Sequence, residues 1–361
     1  EMCIRDRAIE LDPQYAEAID SRGETYRQMG EHARALAEFD RAIEIDPKYA
    51  RAIANRGQTY QQMGEHARAL AEFDRAIDLD PQDAGAIARR GETYRQMGEY
   101  DKALADFDRA IEIDPNYAWA IAHRGETYRQ MGEYDKALAD FDRAIDLNPQ
   151  YAWAIANRGE TYRQMGEYAK ALADFDRAID LDPQYAGAIA SRGETYRQTG
   201  EYDKALADFD RAIDLNPQYA GAIAIRGETY RQMGEYDKAL ADFDRAIDLN
   251  PQYAWAIVSR AKTYLLTGEI AKVWADINRA GAQAEEDYLA NPTNLQNLFN
   301  LALYRVAQGD EAAAEALYRQ GLAAGPTAPT LHDAIRDLDE LIRFFPGNEL
   351  AGRLRALLTA A

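Results

Sequence analysis

The sequence predicts an all-α protein built as a stacked-repeat solenoid, and three observations predict it. Prolines fall at 13, 47, 81, 115, 149, 183, 217 and 251, every gap being 34 residues, and a fixed period of that length marks an array of supersecondary units. The stretch RGETYRQMGE starts at residues 22, 90, 124, 158 and 226, and again at 192 with one letter changed. Within each period the apolar residues recur at helical spacing, as in Ile121, Gly125 and Tyr128, then Ala137, Phe141, Ala144 and Ile145.

Residues 1–15 read as the remnant of a repeat. Stepping back one period from Phe39 lands on Arg5, and agreement begins only at Asp6. The start EMCIRDR resembles a translated sequencing-library adapter, so residues 1–6 are read as foreign and the natural start as missing. Cys3 then carries no redox information.

Residues 16–253 form seven regular units of 34 residues. In PNYAWAIAHRGETYRQMGEYDKALADFDRAIDLN, residues 115–148, Asp114 is expected as an N-cap with Pro115 at the first helical position. Gly132 should end the first helix in a left-handed conformation, and a second helix should run from about Glu133 to Leu147. Gly125 and Ala137 are small enough to bring the two helices close, with Tyr128 and Phe141 filling the core.

Numbered from the third residue after each proline, position 8 is Gly, 11 Tyr, 20 Ala, 24 Phe, 27 Ala and 32 Pro, in register through all seven units. This pattern resembles the tetratricopeptide repeat family. The resemblance implies a right-handed superhelical solenoid of tandem helix–turn–helix repeats whose first helices line a concave groove, and it implies a bacterial-type array.

Residues 254–291 read as a degenerate eighth unit, with Ala261 for Gly, Val273 for Ala and Ile277 for Phe. Pro292 follows Pro251 by 41 residues. The excess equals about two helical turns, so the second helix is expected to run through about Tyr288. Residues 292–328 read as a divergent ninth unit, with Ala302, Ala314, Tyr318 and Pro326 in register. Residues 329–361 read as two capping helices that cover the last exposed core.

Position 7 is Arg in eight units and position 23 is acidic in the same eight, as in Arg22 with Glu38 and Arg124 with Asp140. Both become Leu in unit nine, at 301 and 317. An ion pair between the two helices of each unit is therefore expected. Positions 9 and 12 are Glu and Arg in six units, as in Glu126 with Arg129. They read as a surface pair of about 0.2 to 0.5 kcal/mol.

The family resemblance places positions 2, 5, 6, 9, 12 and 13 in the groove. Position 2 is heavily edited and carries Trp119, Trp153 and Trp255, and tryptophan is a frequent binding anchor. The tryptophans could instead pack on the preceding second helix. Position 6 varies too, with Arg89, His123 and Asn157 among its residues. The candidate partner-binding residues are Trp119, His123, Glu126, Arg129, Trp153, Asn157, Glu160, Arg163, Arg197 and Trp255. Relatives that clamp a chaperone's terminal carboxylate use Lys and Asn at positions 5, 6 and 9, a set this chain lacks.

The expected function is a non-catalytic scaffold that binds a protein or extended peptide in the groove. The alternative is an accessory repeat region of a larger enzyme or signalling protein whose catalytic domain lies upstream. Self-association through the broken first repeat is a further option. The net charge of −20 argues against nucleic acid. No apolar run is long enough to span a membrane, and a cytoplasmic location is expected. The chain has one cysteine and four histidines, with no metal-ligand spacing, so no metal or cofactor is expected. Near-identical units also offer no way to separate the pKa values of an acid and a base. His32 and His66 replace tyrosines at position 17 and read as core or boundary residues.

Overall fold

Helix pairs follow one another along the chain without a strand among the described residues. The computed structural model describes residue 7, residues 9–345 and residues 347–360. Residues 1–6, read above as foreign, and with them Cys3, lie outside these. The chain divides into two compact units, Glu1–Pro183 and Gln184–Ala361.

The first unit holds repeats one to five. Their helices are Ala16–Gln28 and His32–Ile45, Ala50–Gln62 and His66–Leu79, Ala84–Gln96 and Tyr100–Ile113, Ala118–Gln130 and Tyr134–Leu147, and Ala152–Gln164 and Tyr168–Leu181. The second unit holds repeats six to eight, with helices Ala186–Gln198 and Tyr202–Leu215, Ala220–Gln232 and Tyr236–Leu249, and Ala254–Thr267 and Ile270–Ala290. It continues with Leu295–Gln308 and Glu311–Ala323, and ends with Ala328–Phe344 and Glu349–Thr359.

The first helix starts later than the sequence suggests. Asp114 is extended, at φ −126 and ψ 95, as the residue before a proline prefers. Its side chain accepts from the Asn116 amide at 3.0 Å and its carbonyl from Tyr117 at 3.1 Å. Asp114–Pro115 is therefore a turn, and the helix begins at Ala118 behind Tyr117, which gives no side-chain cap. The aspartate satisfies the turn backbone rather than the helix end. Arg143 of the second helix closes the same turn by donating to the Pro115 carbonyl at 2.5 Å. Gly132 ends the first helix at φ 79. Its amide bonds the Arg129 carbonyl at 3.0 Å and the Glu133 amide bonds the Tyr128 carbonyl at 2.9 Å, a left-handed stop that glycine adopts without steric cost.

The core of each repeat is narrow. Ile121, Ala137, Phe141 and Ala144 are fully buried. A methyl added at Gly125 would lie 3.1 Å from the Asp140 Cβ and 3.2 Å from the Ala137 carbonyl oxygen. The glycine thus sets how closely the second helix approaches. Tyr128 departs from the expected core role. It is half-buried, with Lys136 Nζ 5.1 Å from its ring centroid, and Lys136 is also paired with Glu133.

The expected ion pair is present in all eight units. Arg124 Nε and Nη2 donate to the two Asp140 oxygens at 2.8 and 2.6 Å. The remaining guanidinium nitrogen reaches back to Asp108 of the preceding repeat, with Nη1 at 2.6 Å from Oδ1. The same double engagement recurs at Arg56, Arg90 and Arg158 in the first unit. It recurs at Arg226 and Arg260 in the second. A planar fork with several donors is suited to hold two carboxylates at once.

Removing one partner of such a pair strands the other. Arg124→Met leaves Asp140 buried without its cation and should cost about 2–3 kcal/mol in chemical denaturation. Arg124→Met combined with Asp140→Leu should recover most of that loss. Equal losses in the single and double variants would contradict the pairing.

Candidate protein-binding face

Neighbouring first helices lie side by side within each unit, so positions 2, 6, 9 and 12 of one repeat meet those of the next. Repeats three to five show the result. Glu92 accepts from Arg95 Nε and Nη2 at 2.8 and 2.7 Å, from Gln96 at 2.9 Å, and stands 3.0 Å from His123 Nδ1. Arg95 Nη1 also lies 4.0 Å from Glu126 of the next repeat. Glu126 is only 6% exposed. The Glu92–Arg95 and Glu126–Arg129 pairs are therefore not the surface pairs their spacing suggested. Adjacent first helices enclose them, which one repeat read alone does not show.

Burial alone would raise the Glu92 carboxyl, but the hydrogen bonds from Arg95 and His123 outweigh it and hold it at about 2. Burial pushes the His123 imidazole below its ordinary value, against the bond to Glu92. The neutral ring then donates from Nδ1 to Glu92.

His123 also sits between two tryptophans. Its ring centroid is 3.8 Å from Trp119 and 4.5 Å from Trp153, the latter at an interplanar angle of 15°. Arg89 Cζ lies 4.2 Å from the Trp119 ring centroid, within cation–π range. The order is Arg89, Trp119, His123, Trp153. Tyr117 and Tyr151 flank the two indoles at 6.0 and 5.9 Å. Trp119 packs edge-on against Phe107 of the preceding second helix at 6.5 Å. Trp119 thus packs on the preceding second helix, as one of the two sequence readings expects, and both indoles are half-buried.

The remaining candidates divide by unit. Glu126 with Arg129 and Glu160 with Arg163 form two-pronged pairs at 2.6 to 2.8 Å. Asn157 donates to the Trp153 carbonyl at 2.8 Å. In the second unit Arg197 pairs with Glu194 at 2.7 Å. Trp255 is 43% exposed, 6.4 Å from Phe243 and 6.1 Å from Tyr253. Sequence reasoning missed a buried carboxylate, Asp20, at position 5 where repeats two to eight have Ala or Val. It is fully buried and bonded to Asn55 at 2.9 Å and Arg51 at 3.1 Å. Its isolation among alanines was a readable signal. His32 and His66 are half-buried, as a boundary role requires. No cluster of metal-binding side chains occurs among the described residues, and no described helix is long and apolar enough to cross a membrane.

Family profiles described as tetratricopeptide repeat match residues 84–117, 152–185, 186–219 and 222–253, residues 50–83, and residues 107–139. A TPR repeat profile matches residues 23–64 and 125–166. Together these span more than half of the chain. The crystal structure of a tetratricopeptide repeat protein from Parabacteroides merdae is similar at 21% identity and a TM-score of 0.56, over 69% of this chain and 98% of that one. PilW, titled a type IV pilus biogenesis factor, is similar at 22% identity and a TM-score of 0.51, over 55% and 92%. At these identities the likeness is one of fold. No curated protein matches the sequence.

The Glu92 environment sets a pH dependence. Its folded value of about 2 lies below the ordinary 4.5. Its stabilisation is therefore complete above that ordinary value and is lost as pH falls toward the folded one. Glu92→Gln should show a deficit on the order of 2 kcal/mol at neutral pH, read from urea midpoints, which narrows toward pH ~3. A deficit constant over that range would contradict the assignment.

Proposed function

Because the chain belongs to the tetratricopeptide repeat family, a family of protein-interaction scaffolds, we propose that its first-helix face is a groove that binds a protein or extended peptide without catalysis. One observation carries the reading. On a face where Glu and Arg otherwise neutralise each other repeat after repeat, Trp119, His123 and Trp153 form a half-buried aromatic stack. Large rigid aromatics lose little side-chain entropy on contact and supply much of the energy at protein interfaces.

The paired charges act as surroundings for that stack. Glu126 with Arg129 and Glu160 with Arg163 are already satisfied within the chain. They give a partner polar contact without requiring it to neutralise a charge. Asn157 stands one turn along the helix from Trp153 and joins the same surface. In the second unit Trp255 and Arg197 lie on that unit's own first-helix face, which would bind in the same way.

The test is a pull-down with the intact chain beside a variant carrying Trp119→Ala and Trp153→Ala, read by mass spectrometry. Proteins retained by the wild type should be lost or strongly reduced in the variant, with circular dichroism unchanged. Retention of the same proteins at the same level would refute the choice of surface.

A further inference from the structure

Repeat eight departs from the template in its core. Positions 8 and 24 are Gly and Phe in repeats one to seven, but Ala261 and Ile277 in repeat eight. The two changes belong together. A methyl added at Gly159 or Gly193 would stand 3.1 Å from the phenylalanine ring that faces it, too close for both to keep their places. With alanine at position 8, a side chain smaller than phenylalanine is needed opposite. Val273 stands in place of Ala at position 20 and restores only part of the lost volume. The site stays open. Ile277 is 8% exposed, where the seven phenylalanines are 0 or 1%.

The space left over is a half-enclosed cavity of about 90 Å³. Both helices of repeat eight and the first helix of repeat nine wall it through Leu265, Ile277 and Leu303. The helix Ala328–Phe344 closes it with Leu341 and the following Phe345. All of these lie in the second compact unit. The lining is almost wholly apolar. Leu265 stands where repeats one and three to seven carry arginine, so a charged position has also become part of the apolar wall. The charged side chains of the lining are one cation and one anion, Lys262 and Asp337, and neither sign of ligand charge gains a net attraction. Phe345 also stacks on Trp274 at 6.3 Å and 26°, and Trp274 is 41% exposed. Apolar surface therefore continues from the cavity lining out to solvent.

Unfilled apolar space forfeits contacts and weakens a core. Apolar cavities stay dry and take up small apolar molecules, and one of roughly 150 Å³ holds benzene. The cavity of repeat eight is smaller, which suits a short alkyl chain rather than a ring. We propose that it is a ligand site for the hydrocarbon end of a small, uncharged amphipathic molecule, whose polar end stays in solvent. The inference is independent of the groove reading. Its ligand is a small molecule, and the Trp119, His123 and Trp153 stack belongs to the other compact unit.

The test is a titration of the full chain, with isotope-labelled Ile, Leu and Val methyl groups, by straight-chain alcohols from ethanol to hexanol, read by NMR. Shifts should concentrate on Leu265, Val273, Ile277 and Leu341. Affinity should rise about fourfold for each added methylene until the cavity is full, and more slowly beyond. Ala261→Gly combined with Ile277→Phe restores the pair of the other repeats. It should fold, raise the melting temperature and abolish the response. Ala307→Leu fills the cavity from repeat nine and should abolish the response as well, which keeps the test decisive if the first variant misfolds. Trp119→Ala with Trp153→Ala should leave the response unchanged, so this site and the groove are judged separately. Shifts scattered over the molecule, an affinity that does not depend on chain length, or an undiminished response in a folded, filled variant would overturn the proposal.

Discussion

In repeats two to five, seven and eight a single guanidinium ties the helix pair to itself and to the pair before it. Arg124 grips Asp140 with two nitrogens inside its repeat and Asp108 with a third across the repeat boundary. Charge-assisted two-pronged bonds fix geometry as well as energy. Gly125 beside Arg124 admits the second helix closely enough for the fork to span the gap. A pair of helices this short cannot bury its apolar face alone, so stacking is obligatory. The arginine decides at what offset the stacking occurs. That offset brings position 9 of one repeat against position 6 of the next, and the whole first-helix face follows from it.

Much of this was legible in sequence. The arginine and its intra-repeat carboxylate were readable because both change together in repeat nine, to Leu301 and Leu317. The second carboxylate was overlooked although its signal was present. Asp40, Asp74, Asp108, Asp142, Asp210 and Asp244 recur at one position, and that position becomes Asn278 just before the repeat that lacks the arginine. Asp114 was misassigned as a cap because an aspartate before proline suits either a helix start or a turn. The backbone preference of a residue preceding proline decides for the turn. The burial of Glu126 and the stacking of His123 between two tryptophans were not legible. Both depend on the spacing between consecutive first helices, which no single repeat encodes.

Near-identical repeats make the edits informative. The copied background pairs its own charges, glutamate with arginine, along the first-helix face. Departures from the template then stand out as chemistry. Asp20 is a buried carboxylate held by Asn55 and by the exposed Arg51 across the first two repeats. Gln58 removes one anion, while Arg89, Trp119, His123 and Trp153 build a continuous stack on its far side. These edits fall on repeats one to five, the first compact unit, and give that unit an aromatic stack on its first-helix face.

The claim that the arginine couples neighbouring repeats is most directly tested by native-state hydrogen exchange on the wild type and on Asp108→Ala, which removes the acceptor across one boundary while leaving Arg124 paired with Asp140. The account predicts that protection falls together in repeats three and four, on both sides of that boundary. A loss confined to the amides around residue 108 would contradict it.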